Sequence, residues 1–197
     1  MITEVMGHRQ GASGLSDCEK WDIRLTGKRT KYHKVTGWID PEFVHVLSRD
    51  PGAYGLLIRL PYQFRGNIGA LGRVTLPPGS YLYLGSANGP GGLPARLRHH
   101  LRADKRPHWH VDHLNIAGTV ERVFIVPDGQ ECDLVDFALE LPSVHVPVLG
   151  FGSSDCRLCA AHLLGLPQDS ETVLEAFSSP LNFTRSRRGL AGIPHRP

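Results

Sequence analysis

The sequence predicts an α/β (α+β) fold, a small sheet whose early strands meet as a hairpin, with short helices around it. Two short apolar runs, AYGLLIRL (53–60) and YLYLGSA (81–87), are bounded by Pro and Gly and read as strands. A leucine-striped helix follows the second run. A β-branched run, TVERVFIVP (119–127), then separates two further helical stretches. Strands interleaved with short helices are the pattern of a mixed domain.

Length and composition bound the rest. The chain has 197 residues, a net charge of +3 and 41% hydrophobic residues, which suits one domain of the usual ~100–200 residues. No stretch approaches the roughly 20 apolar residues of a membrane span. The start, MITEVMGHRQGASG, lacks the apolar core and cleavage site of a secretory signal. Cys18, Cys132, Cys156 and Cys159 are too few and too uneven for a secreted disulfide scaffold. The expectation is a soluble, cytoplasmic protein with no membrane partner.

Residues 1–49 read as a polar N-terminal arm, partly ordered at best, with little besides Trp21, Ile23, Leu25, Val35, Trp38 and Ile39 to bury. Within it PEFVHVLSR predicts a short helix, with Asp40 as cap and Pro41 in the first turn. The domain itself is expected at 50–178. After the strand at 53–60, IGALGRVTL leads to a Pro77-Pro78-Gly79 turn and the strand YLYLGSA. There Tyr81 and Tyr83 share one face, and Leu82 and Leu84 the other. A turn from Asn88 then opens a helix with Pro94 in its first turn. Leu93, Leu97 and Leu101 form its stripe, with Arg96 and His100 one turn apart beside it. WHVDHLNIA and ECDLVDFALEL read as helices, GFGSSDC as a loop, and SETVLEAFSS as a helix capped by Ser170; AAHLLGL fits neither helix nor strand better. Residues 179–197 read as a basic flexible tail.

Charge is uneven. Between Pro94 and Pro107 stand Arg96, Arg98, Arg102, Lys105 and Arg106 against one acid, Asp104, with His99 and His100 among them. Such clustering attracts phosphate, although on charge alone a solvated helix face is the ordinary reading.

Six motifs occur in order: GAY (52–54), PPGSYLYLGSA (77–87), ARLRHHLR (95–102), HWHVDHL (108–114), ECDL (131–134) and GFGSSDC (150–156). Together, over about residues 50–166, they resemble the GIY-YIG nuclease superfamily in its DUF123-type branch. The resemblance implies a mainly antiparallel central sheet with an extended hairpin between the GAY and YLG strands. It also implies a divalent-metal-dependent endonuclease that hydrolyses nucleic-acid phosphodiester bonds by water attack, on DNA rather than RNA. Arg96 then stabilises the transition state, Glu131 holds one Mg2+ or Mn2+, Tyr83 is the general base and Tyr54 orients the water or phosphate. His100 contacts phosphate or relays a proton. Gly85, Ser86, Arg98, His108, His110, Ser153 and Ser154, from the same motifs, are the expected substrate-binding residues.

The residue types suit that chemistry. Charge developing on a phosphate needs a positive partner, and the planar arginine fork binds two oxygens at once. Mg2+ typically takes one or two protein carboxylates. A phenol with a pKa of about 10 is a poor base in water, but nearby cations favour its ionised form. Each residue also has a plainer reading: Arg96 as a solvated helix arginine, Glu131 as a first-turn acid favoured by the helix dipole, the tyrosines as sheet aromatics. With those readings the domain is an inactive nucleic-acid-binding or accessory module.

Two further patterns compete. HWHVDH (108–113) has the residue types of a zinc hydrolase motif, but the long two-sheet chain that motif requires is not evident. GFGSSDC is either an anion-binding nest or a tight loop that needs its glycines. Cys156 and Cys159, with His162 nearby, form a C-x-x-C half site to which Cys132 adds a thiolate if the fold brings it near. Buried core thiols are the expectation there, with structural Zn2+ in an interaction protein as the lesser alternative.

Overall fold

A computed structural model of the protein describes residues 34–178. The tail expected at 179–197 and the first 33 positions of the arm, Cys18 included, lie outside the described residues.

The strands are β1 (Gly37–Ile39), β2 (Gly52–Leu60), β3 (Phe64–Asn67), β4 (Arg73–Leu76), β5 (Gly79–Ser86), β6 (Thr119–Pro127) and β7 (Leu163–Gly165). The helices are α1 (Gly92–Leu101), α2 (His110–Ala117), α3 (Glu131–Leu139) and α4 (Glu171–Ser178). Five strands form the central sheet in the order β1-β6-β2-β5-β7, each pair antiparallel. The expected extended hairpin between the GAY and YLG strands is the separate β3–β4 ribbon, with a 3-10 turn at Gly69–Leu71 inside it.

Alternation along the strands sorts side chains onto two faces. On one face Tyr54, Leu56, Ile58 and Leu60 of β2 join Tyr81 and Tyr83 of β5 and Val123 and Ile125 of β6. Leu93 and Leu97 of α1, Val111 and Leu114 of α2, and Val74 and Leu76 of the ribbon cover them. On the other face Ala53, Leu82, Leu84, Phe124 and Leu164 lie under Leu134, Val135 and Ala138 of α3 and Val173 and Phe177 of α4. The opposed facing of Tyr81 and Tyr83 against Leu82 and Leu84 is as expected. Each fully buried leucine on these faces contributes about 1.5–3 kcal/mol relative to exposure, so both layers hold the sheet.

Three local expectations change. Residues 34–49 are not all arm: β1 pairs with β6, and Trp38 donates from Nε1 to the Leu174 carbonyl at 3.1 Å. The helix expected at PEFVHVLSR is a 3-10 helix, Pro41–Val46; Asp40 precedes it in extended backbone without a side-chain cap bond, and Leu47 is extended again. AAHLLGL becomes β7, because buried Leu163 and Leu164 supply one side chain to each face and Leu84 donates its N–H to the His162 carbonyl at 2.9 Å.

Candidate functional site

The start of β2, the end of β5 and the end of β6 meet at one end of the sheet, where Tyr54 pairs with Gly85 on one side and Ile125 on the other. Helix α1 leaves from the end of β5 and α3 from the end of β6. The sheet therefore delivers Tyr54, Tyr83, Arg96, His100 and Glu131 toward one end from separate parts of the chain.

Tyr54 and His100 are both buried, and the Tyr54 hydroxyl lies 2.8 Å from His100 Nε2. His100 Nδ1 lies 2.9 Å from Asp112 Oδ1. Asp112 is ionised, so Nδ1 carries the proton and donates to it, and Nε2 accepts from the Tyr54 hydroxyl. Asp112 is fully buried. It also accepts the backbone N–H groups of His108 and Trp109, each at 3.0 Å, and pairs with Lys105 Nζ at 3.1 Å. Those two backbone bonds explain why α2 begins at His110, a residue later than the pattern suggests. Burial alone would raise the Asp112 carboxyl, but the bonds from His100, Trp109 and His108 hold it far below the usual range. Burial lowers His100 against the pull of Asp112, which keeps its ring neutral.

With both ring nitrogens taken, His100 offers neither to a phosphate; it fixes the Tyr54 hydroxyl instead. Lys105 likewise leaves the basic cluster. Its Nζ is buried against Asp112 and the carbonyls of His99 and His100, and Arg102 is paired with Asp104 at 3.3 Å. Arg98 is exposed. Arg96 lies over the Trp109 ring, its Cζ 4.1 Å from the centroid, a cation–π contact that holds the guanidinium plane. His99, His100 and His108 set their rings edge-on to the same tryptophan.

Tyr83 is 6% exposed. Burial pushes its hydroxyl well up; Arg96 pulls it down, and Asp112, Asp155 and Glu131 push it further up. Tyr54 is raised by burial, with Tyr83, Asp112 and Glu131 adding to the rise and Arg96 opposing it. The two phenols, the guanidinium and the Glu131 carboxylate thus share one electrostatic environment. Gly85 leaves room for this: a Cβ there would lie 2.6 Å from the Tyr54 hydroxyl and 3.1 Å from Tyr83 Cε1. Gly152, at φ +77°, closes the other side of Tyr83, where a Cβ would meet Cε2 at 2.7 Å.

The remaining expected residues are distributed unevenly. Gly85 is buried and Ser86 half-buried at the end of β5. His110 accepts the Gly152 N–H at Nδ1, 3.0 Å, and Ser153 is buried with its hydroxyl on the Ala160 carbonyl at 3.5 Å; both brace the GFGSSDC loop. His108 and Ser154 are exposed. Asp112, Trp109 and Asp155 were not among the candidates. The one available signal was Asp112 at the third helical position after Trp109, an N-terminal capping place hidden inside what looked like a histidine metal motif.

The cysteines correct another expectation. Cys132, Cys156 and Cys159 are half-buried rather than fully buried, Cys159 against the α3 side of the core, and the donor atoms of Cys132, Cys156, Cys159 and His162 all lie within 4.8 Å of one another. Among the described residues this is the one such group of three or more His, Cys, Asp or Glu donors; the histidines of HWHVDH do not assemble into another. Burial pushes the Cys132 thiol up to about 11. At Cys156 the N–H groups of Cys159 and Leu158 outweigh burial and lower the thiol.

The fold is a mixed α/β domain that packs Tyr54, Tyr83 and His100 together near one end of an antiparallel sheet, with Arg96 on Trp109 beside His100. The chain belongs to the DUF123 family, described as a domain of unknown function, whose profile it matches over residues 53–182. Neither a curated protein nor a solved structure matches it. Among the described residues no helix is long and apolar enough to cross a membrane.

Proposed function

We propose that this DUF123 domain is a GIY-YIG-type endonuclease that hydrolyses nucleic-acid phosphodiester bonds, DNA rather than RNA, with one Mg2+ or Mn2+. The observation that carries the reading is the packing of Tyr54 against Tyr83, ring centroids 6.4 Å apart, with Arg96 of α1 and Glu131 of α3 both close enough to act on the two hydroxyls. Sheet tyrosines and surface charges with merely structural roles have no reason to converge in this way.

In this reading Arg96, its plane held on Trp109, presents its fork to the phosphate oxygens as charge develops. Tyr83 would first give up its own proton to solvent, which burial opposes and a bound cation would favour, and as the phenolate it accepts the proton of the attacking water. Tyr54, its own proton held by His100, keeps its lone pairs toward the water and fixes its approach. A single half-buried carboxylate, Glu131, at an end of the sheet also reached by the field of exposed Asp155 suits a hard cation that keeps most of its water. Glu131 would hold it, and the ion when bound supplies positive charge that polarises the phosphoryl group and favours an ionised phenol. Exposed Arg98 and half-buried Ser86 contribute phosphate contacts without sequence preference.

The test is incubation with single-stranded, duplex, branched and flapped DNA and RNA, with and without Mg2+ or Mn2+, using wild type and Glu131→Gln. Wild type should cleave only with metal, and the variant should cleave about 10²–10³-fold more slowly while still binding in a salt-sensitive way. Equal cleavage by both overturns the Glu131-dependent mechanism, and binding without cleavage by either overturns the enzyme in favour of a binding module.

A further inference from the structure

We infer that Cys132, Cys156, Cys159 and His162 form a structural Zn2+ site that clamps the 150–162 loop to the start of α3. The donors are Cys132 from the first turn of α3, Cys156 and Cys159 from the loop, and His162 from the residue before β7. The last three are near one another in sequence; Cys132 is brought to them by the fold alone.

Four features point to a metal rather than a chance cluster. All four donor atoms lie within 4.8 Å of one another, and ligands of a tetrahedral site with Zn–S near 2.3 Å are about 3.8 Å apart. The Sγ atoms of Cys132 and Cys156 are 3.6 Å apart, at that spacing and too far for a disulfide. The Cys159 N–H points at Cys156 Sγ at 3.3 Å, so the loop is already wound around its first thiol. His162 is only 4% exposed, yet its Nε2 has no hydrogen-bond partner. A buried imidazole nitrogen is rarely left unpaired, and a metal held also by the three neighbouring thiols would give it a partner.

The donor set selects the ion. Three soft sulfurs and an imidazole favour Zn2+ over Mg2+ or Mn2+. Four protein donors close the shell, which marks the site as structural rather than catalytic. A Cys132–Cys156 disulfide would leave Cys159 and His162 Nε2 unpartnered, so it answers fewer of these observations. The clamp lies beside Tyr83. Glu131 directly precedes Cys132, and a Cβ at Gly152 would sit 2.7 Å from Tyr83 and 3.2 Å from His162 Cβ. Zinc would therefore hold the start of α3 and the loop beside Tyr83 together, but its presence does not depend on whether nucleic acid is cut.

The full chain, purified without chelator or added metal, should carry about one zinc per chain by elemental analysis. Replacing it with Co2+ should give the strong visible bands of a tetrahedral ion together with thiolate-to-metal charge transfer. Cys156→Ser with Cys159→Ser should retain only trace zinc, whereas Glu131→Gln and His108→Ala should retain it fully. The inference is overturned by a folded wild type that holds no zinc and takes up none, by a Co2+ spectrum without thiolate charge transfer, or by zinc that survives the double serine variant. Since Glu131→Gln separates the two readings, loss of cleavage with zinc retained leaves this inference standing.

Discussion

Tyr54 and Gly85 face each other across the β2–β5 ladder so closely that any side chain at Gly85 would strike the tyrosine's hydroxyl, with a Cβ 2.6 Å from Oη and 2.8 Å from Cζ. That hydroxyl is held from the other side by His100 Nε2 at 2.8 Å, so it has nowhere to retreat without losing its partner. Gly85→Ala should therefore cost about 1–3 kcal/mol by overpacking and abolish most cleavage. Urea unfolding and a cleavage assay check this. A variant as stable and as active as wild type would mean that Tyr54 is free to swing, contrary to the packed site.

The buried Asp112–His100 pair sets how stability depends on pH. Asp112 is held below the usual carboxylate range and His100 below the usual imidazole value. In both cases the native state takes up its proton at lower pH than the unfolded chain. Both contributions are therefore complete above the unfolded values and are lost on acidification, His100 from about pH 6.5 downward and Asp112 from about pH 4 downward. Tyr54 and Tyr81, raised by burial, act oppositely, and their contributions fade as pH rises past about 10. Urea midpoints across this range should form a plateau near neutrality that falls on both sides. Asp112→Asn should lose about 3–5 kcal/mol at pH 7, because it leaves the buried Lys105 ammonium without its carboxylate partner.

Much of this was legible because it rests on short-range rules. Period-two alternation in AYGLLIRL and YLYLGSA assigned the two sheet faces, and the Leu93–Leu97 stripe oriented α1. Motif order picked out Tyr54, Tyr83, Arg96 and Glu131. What stayed hidden depends on contacts distant along the chain. Strands β1 and β7 are three residues each, too short for a periodic signal, and exist only because β6 and β5 offer edges. The family resemblance gives His100 to phosphate or a proton relay; Asp112, twelve positions on, takes its Nδ1 instead. Cys132 stands 24 positions before Cys156, and no spacing rule links a helix start to a loop at that distance.

Arg96 and Trp109 should act as a pair. If the guanidinium is both fork and plane, Arg96→Lys keeps the charge but loses the two-oxygen contact and most of the stacking. We expect Arg96→Lys to fall nearly as far in kcat as Arg96→Ala, about 10²-fold. Trp109→Leu, which leaves the charge in place but unsupported, should lose less, about tenfold, in line with a cation–π contact of about 0.5–2 kcal/mol. Measured kcat and KM for the three variants decide this. Full rescue by lysine would reduce Arg96 to a point charge.

The two tyrosines differ in partner, which separates their roles. The Tyr54 hydroxyl is committed to His100, while Arg96 draws both hydroxyls down against the larger effect of burial, which leaves both raised. As the proton acceptor, Tyr83→Phe should lose cleavage by about 10²–10⁴-fold with little change in DNA affinity, and its residual rate should lose the wild-type rise with pH. As a positioning group, Tyr54→Phe should cost less in rate but also destabilise the fold by about 1–3 kcal/mol, because His100 Nε2 is left buried and unpaired. pH–rate profiles and urea midpoints for both variants provide the readout. If Tyr54→Phe instead removed the pH dependence and Tyr83→Phe kept it, the acceptor would be Tyr54, passing its own proton to His100 as Asp112 steadied the charge.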